Sequence, residues 1–155
     1  MTDITNTNHS TDTDTCVDTQ GIVAYTDGSC MPNPGPGGWA WAITHPEPFA
    51  MACNGSSYQE RTTNNRMELT ALLELLEYLR GYDGTITVYS DSTYVINGYQ
   101  KLLRTKQVSN VNEDLWRSVY NVSKTTVQLC WIKGHSNDPG NELVDRLAKD
   151  AVGWV

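Results

Sequence analysis

GIVAYTDGSCMPNPGPGGWAWAIT, residues 21–44, is the stretch from which the architecture can be read. It opens on a short β-branched and aromatic run, GIVAYTD, that ends at Asp27 in the turn-rich GSCMPNPGPGG. Glycine supplies unusual backbone angles there, and proline and asparagine favour turns over strand pairing. WAWAIT (39–44) then alternates around small residues, and MACNGSSYQERT (51–62) is a weaker third run. Three short strands with such punctuation between them predict an antiparallel meander.

The pattern then changes period. In NRMELTALLELLEYLRG (65–81), Met67, Ala71, Leu72, Leu75, Leu76 and Leu79 recur at helical spacing, with Gly81 as the stop. TITVYSD (85–91) reads as a strand with Ile86, Val88 and Tyr89 turned to the core. STYVINGYQKLLRTK (92–106) predicts a helix with Ser92 as its N-cap, and NEDLWRSVYNV (112–122) predicts another. TTVQLCWIK (125–133) is the last strand. NELVDRLAKDAV (141–152) closes the chain as a helix, with Leu143, Val144, Leu147, Ala148 and Ala151 on one face. The order β-β-β-α-β-α-α-β-α is no simple alternation. It predicts an α/β fold with a five-stranded mixed sheet: antiparallel strands 1-2-3, then two parallel strands, with helices on both faces.

Bulk properties set the outer limits. A chain of 155 residues, 39% hydrophobic and 19% charged, suits one globular domain with one core. No window has the apolar length of a membrane span. Residues 1–20 are mostly polar and are expected to form a flexible acidic tail ahead of a folded domain over 21–155. That tail lacks the basic start and apolar stretch of a signal peptide, so a cytoplasmic protein is expected; a monomer is expected as well. Asp12 and Asp14 hint at a calcium loop, but Cys16 stands at the next ligand position and the turn glycine is missing. Cys16, Cys30, Cys53 and Cys130 are widely spaced and are expected as free thiols.

The net charge of −7 argues, taken alone, against a nucleic-acid partner. Four of the 18 acids (Asp3, Asp12, Asp14, Asp18) lie in the tail with no lysine or arginine, which leaves 11 basic and 14 acidic residues beyond it. If four further carboxylates hold divalent cations, the working surface is not acidic.

Those four are distinguished by position. Asp27 and Asp91 end strands, where ligands gather in wound sheets. Glu68 falls in the first turn of the long helix and Asp145 early in the last. Individually each has an ordinary explanation, since strand-end aspartates cap turns and first-turn acids answer the helix dipole. Converging on one pocket, they would have to protonate or be neutralised by metal, and oxygen-only ligation favours Mg2+ or Mn2+ over zinc.

Six blocks now join up: TDGSC (26–30), NPGPGG (33–38), TTNNRMEL (62–69), SDSTYV (90–95), W-x-KGHS (131–136) and NELVDRLA (141–148). In order and spacing they resemble the signature of type 1 ribonuclease H, and the likeness covers residues 21–152. The resemblance implies a ribonuclease H-like fold and an endonuclease that hydrolyses the RNA strand of an RNA–DNA hybrid, leaving 5′-phosphate and 3′-hydroxyl ends. It implies Asp27, Glu68, Asp91 and Asp145 as catalytic carboxylates for two Mg2+ ions, with Mn2+ able to substitute. It implies His135 as a loop group that activates water or releases product; without the resemblance His135 reads as a surface histidine. Gly28, Cys30, Asn33, Thr63, Asn64 and Asn65 match positions that touch the hybrid, Thr63 as part of a DNA-phosphate pocket. Asn64 equally reads as the N-cap of the long helix, and both roles can hold.

Two departures stand out. Tyr99–Asn112 is short for the family's basic protrusion and carries only Lys101, Arg104 and Lys106, with Leu102 and Leu103 where channel aromatics are expected. Thr93 replaces a glutamine beside the Asp91 position. Rival readings are a transposase or integrase core, a non-catalytic hybrid-binding module, and a domain of a larger polymerase. The first lacks TTNNRMEL and KGHS, and the second would be expected to have lost a carboxylate.

Overall fold

The computed structural model describes residues 21–46 and 53–153; the expected tail and residues 51–52 of the third run lie outside them. The elements run β1 (Ile22–Cys30), β2 (Gly35–His45), β3 (Asn54–Thr62), α1 (Asn64–Tyr78), β4 (Ile86–Ser90), α2 (Thr93–Thr105), α3 (Glu113–Val122), β5 (Val127–Trp131) and α4 (Pro139–Val152). They form one sheet in the order β3-β2-β1-β4-β5. β1, β2 and β3 pair antiparallel, while β4 and β5 run parallel to β1. This is the mixed sheet expected, with β1 at its centre.

Strand alternation assigns the two faces. Ala24, Trp41, Ile43 and Val88 join the main core with α1, where Met67, Ala71, Leu72, Leu75, Leu76 and Leu79 are all buried as their spacing demands. Ala40 and Ala42 face the other way, onto Val144 and Ala148 of α4. Burying a Leu-sized side chain contributes roughly 1.5–3 kcal/mol, so the α1 face is a large apolar contribution to the fold.

Several boundaries moved for physical reasons. β1 runs on to Cys30 and β2 begins at Gly35, so much of the glycine run is strand rather than turn. A Cβ on Gly38 would stand 2.2 Å from the Ala148 carbonyl oxygen; the glycine is there to admit α4, not to turn the chain. α1 begins one residue earlier than an Asn64 cap requires, because Thr63 is the N-cap and accepts from the Arg66 amide at 3.2 Å. Nor does Gly81 end that helix in a left-handed turn. The C-cap is Leu79, and Lys124 Nζ reaches back to donate to the carbonyls of Leu79 (3.0 Å), Arg80 (2.8 Å) and Tyr82. Those carbonyls lie at and just beyond the helix end, where the Leu79 carbonyl also accepts from the Tyr82 amide at 2.9 Å. Ser92 caps α2 as expected, accepting from Val95 at 3.1 Å.

Cys30 and Cys53 are free thiols, but Cys130, buried in β5, is disulfide-bonded, contrary to expectation. Spacing along the chain carries no information about which cysteines the fold brings together. Among the described residues no helix is long and apolar enough to cross a membrane.

Candidate active site: an acidic pocket at the sheet end

Asp27 sits within β1, opposite Ala40 of β2, three residues before the strand ends rather than at its end. Asp91 follows β4 directly and precedes the Ser92 cap. Glu68 is the fifth residue of α1, beyond the first turn, and Asp145 is the seventh of fourteen in α4. Neither lies where a helix N-terminus would stabilise it, which removes the dipole explanation for both.

One carboxylate oxygen from each of Asp27, Glu68 and Asp91 lies within 4.8 Å of the others. Asp27 is 4% exposed and Glu68 6%, and Glu68 Oε1 is buried with no hydrogen-bond partner among the described residues. At an effective dielectric of about 20, each ionised pair at such a distance repels by roughly 3 kcal/mol. Three such pairs approach the whole stability of a small domain, so the cluster cannot stand fully charged and uncompensated. Accordingly, burial first, then the charges of Asp91 and Asp145, push Asp27 up to about 8. Burial, then Asp27 and Asp91, hold Glu68 well above the usual carboxylate range. Asp91 is raised mainly by burial, and the Asn141 amide and nearby His135 pull it back. The alternative to protonation is a divalent cation, and an all-carboxylate donor set with an orphaned buried oxygen suits a hard one.

Asp145 stands at the rim. Its carboxyl lies within hydrogen-bond reach of Asp27, and it also pairs with Lys149 at 3.1 Å. His135 is exposed on the turn after β5, with a left-handed φ of 58°, and its charge acts on Asp91.

The backbone approaches closely here. A Cβ on Gly28 would stand 2.3 Å from the Glu68 amide nitrogen and 2.4 Å from the Met67 carbonyl carbon. The Gly28 amide itself donates towards both Asp27 and Glu68. Gly28 is therefore where β1 and α1 touch, and it sets the distance between their carboxylates.

Cys30, Asn33, Thr63 and Asn64 assemble beside this contact. The Cys30 thiol lies 3.2 Å from the Pro32 carbonyl oxygen and 3.4 Å from those of Gly35 and Thr62. Asn33 Oδ1 accepts from the Asn64 amide at 3.1 Å, tying the β1–β2 turn to the start of α1. Asn65 is exposed on the same turn of helix.

Other residues of the site escaped the sequence reading. Asn141, 3% exposed, directs Nδ2 to Asp91 Oδ2 at 3.4 Å, and Trp131 Nε1 donates to the Asp91 carbonyl at 3.2 Å. α4 starts at Pro139, two residues before the predicted start, with Asp138 capping Gly140 and Asn141 at 2.9 and 3.1 Å. In the sequence Asn141 reads as the first residue of a helix, and nothing local marks it as buried. Leu102 belongs to the core rather than to a substrate channel. The segment after α2 instead borders a groove of about 820 Å³ lined by Thr93, Tyr94, Lys101, Gln107, Val111 and Trp116.

The sequence model of the RNase H family matches residues 19–153. The chain is 37% identical over 154 residues to the ribonuclease H of Treponema pallidum, covering 84% of this chain and 90% of that one. It is 38% identical over 142 residues to the ribonuclease H of Syntrophomonas wolfei, covering 84% and 95%. Among solved structures it is similar in fold to LC11-RNase H1 in complex with RNA/DNA hybrid, with a TM-score of 0.70 at 24% identity over 85% of this chain and 96% of that one. The RNase H1 of Halobacterium salinarum superposes with a TM-score of 0.61 at 24% identity, over 84% and 96%.

Proposed function

The chain belongs to the ribonuclease H family, and from that membership we propose that it cleaves the RNA strand of RNA–DNA hybrids as an endonuclease. The observation that carries this reading is the buried trio of carboxylate oxygens, mutually within 4.8 Å, with Glu68 Oε1 unpartnered. Asp27, Glu68 and Asp91, with Asp145 at the rim, would hold two divalent ions, Mg2+ with Mn2+ as a substitute. When bound, such ions activate water and stabilise the leaving 3′ oxygen.

In the reaction a water oxygen bonds to the scissile phosphorus as the bond to the 3′ oxygen breaks, leaving a 5′-phosphate and a 3′-hydroxyl. The chain supplies position and proton handling. His135, on its exposed turn, takes up or passes on the proton. Gly28, Cys30, Asn33, Thr63, Asn64 and Asn65 form the contact surface, amides and backbone groups being suited to the 2′-hydroxyls of a wide minor groove. The tail over 1–20 and the catalytic domain over 21–155 are the proposed division of the chain. A working monomer is the proposed state. The cytoplasm is the proposed place of action.

The test is cleavage of a hybrid labelled on its RNA strand, with duplex DNA and single-stranded RNA as controls. Cleavage of the hybrid alone, dependent on Mg2+ and stopped by chelator, is expected, with 3′ ends that a polymerase can extend. Metal-independent cleavage, or equal cleavage of all three substrates, would overturn it.

A further inference from the structure

Nothing in the proposed chemistry uses the polar contacts that join α1, α2 and α3. Arg66, the third residue of α1, lies two residues before Glu68; Tyr94, the second of α2, lies three after Asp91. Between them stands Asn112 at the N-cap position of α3. We infer that Arg66, Asn112 and Tyr94 form a positioning brace that fixes the spacing between the helix bearing Glu68 and the one that follows Asp91. The inference rests on the reading of those two carboxylates as metal ligands.

The bonding of Asn112 is what gives the brace away. An asparagine at an N-cap normally turns its oxygen onto its own helix, a contact worth about 1 kcal/mol. Asn112 makes no such cap bond; its backbone is left-handed, with a φ of 57°, where a capping residue is normally extended. Both ends of its amide are instead spent across helices. Oδ1 accepts from Arg66 Nη1 at 3.2 Å, and Nδ2 donates to the Tyr94 hydroxyl at 2.8 Å. That hydroxyl also accepts from Trp116 Nε1 at 3.0 Å, which uses both of its lone pairs and fixes its direction. Arg66 is held in turn by a two-pronged contact to Asp114, at 3.0 and 2.7 Å. Asp114 is largely exposed, so that ion pair aims the guanidinium more than it stabilises the fold. α1 meets α3 more extensively than it meets α2, so a link through the start of α3 is the direct route between the two carboxylate-bearing segments.

Two variants isolate the brace. Asn112→Gly removes the amide and tolerates the left-handed backbone, and Tyr94→Phe removes one hydroxyl while keeping the ring. Mn2+ affinity by calorimetry, kcat, and the Mg2+ concentration for half-maximal cleavage are compared with the parent chain. Each variant is expected to weaken Mn2+ binding about fivefold, the effect of one such hydrogen bond. The half-maximal Mg2+ concentration should rise alike, with KM for hybrid little changed. The double variant should be no worse than either single one, because both cut the same chain of contacts. Parent-like Mn2+ affinity in a folded variant, even with a lowered melting temperature, would overturn the brace and leave a merely structural contact. Independent, multiplying effects would overturn it too. Should Asn112→Gly fail to fold, the near-isosteric Tyr94→Phe still decides the matter. A parent chain that binds no Mn2+ would overturn the metal-site reading itself, and the brace with it.

Discussion

Asp27 and Asp91 stand level in the sheet, each two residues beyond the last parallel pair, Tyr25 opposite Tyr89. Neighbouring strands lie about 4.8 Å apart, so this register alone brings the two carboxyl-bearing positions together. A slip of one residue would move Asp91 by about 3.3 Å and turn it to the other face. The pocket is thus a property of strand pairing before it is a property of side chains.

Neutral, similar-sized replacements should separate chemistry from folding. Asp27→Asn, Glu68→Gln and Asp91→Asn are each expected to abolish hybrid cleavage with the fold intact. Without metal they should unfold at the same or a higher temperature, since repulsion inside the trio is relieved. Asp145→Asn, at the rim, should lose less. Cleavage assays and circular dichroism melts check both halves, and full activity in any of the first three would remove that residue from the site.

Metal-free stability should fall as pH rises. In the folded chain Asp27 keeps its proton to about pH 8, against an ordinary value of 3.8 in the unfolded one. The folded state therefore binds more protons between those limits. This contribution is fully present below about pH 4 and is lost as the pH climbs through 8. Glu68 and Asp91 are raised as well and act in the same direction. Asp114, lowered to about 2 by Arg66, acts oppositely but only below the same window. Melts in chelator from pH 5 to pH 8 should show a declining midpoint that Mg2+ restores at pH 8 and Asp27→Asn flattens. A midpoint that climbs steadily across that range is the contrary result.

Gly28→Ala should be far costlier than its size suggests. The added methyl meets backbone atoms of Met67 and Glu68 that cannot swing aside, so α1 itself must shift. Denaturant unfolding should show a loss of about 1–3 kcal/mol, as for overpacked interiors. Mn2+ titration should show weakened binding. Gly81→Ala, with nothing within 4 Å and no positive φ, is the control and should stay within about 0.5 kcal/mol of the parent. Equal behaviour of the two would mean that β1 and α1 do not meet as described.

His135→Ala should slow turnover while leaving measurable activity, within the 10²–10⁴-fold that general acid–base groups typically contribute. A pH–rate profile is the check. A profile and rate unchanged from the parent would reduce His135 to an ordinary turn residue.

The elements and their order were legible in the sequence because burial leaves a period. Met67 to Leu79 announce α1, and Ile86 and Val88 announce β4. Boundaries failed where a residue's usual meaning was overridden by a partner distant in the chain. Gly38 signals a turn until Ala148 of α4 is seen pressed against it, and Gly81 signals a helix stop until Lys124 is seen doing that work. The carboxylates were found from strand ends and motif blocks, whereas Asn141 was missed because its burial against Asp91 is purely tertiary. Cys130 was missed for the same reason.

The central place of β1 has a consequence for how the molecule opens. Along Ala24–Tyr25 its backbone is paired on both sides, to β2 and to β4, and Asp27 and Gly28 follow directly on the same strand. Amide protons there should exchange with deuterium only when the whole domain unfolds, while those of the exposed turn around His135 exchange from the native state. Three of the carboxylates would then hang on or beside the last part of the chain to yield, and His135 on one of the first. Partial opening would cost the enzyme speed long before it cost the pocket its shape.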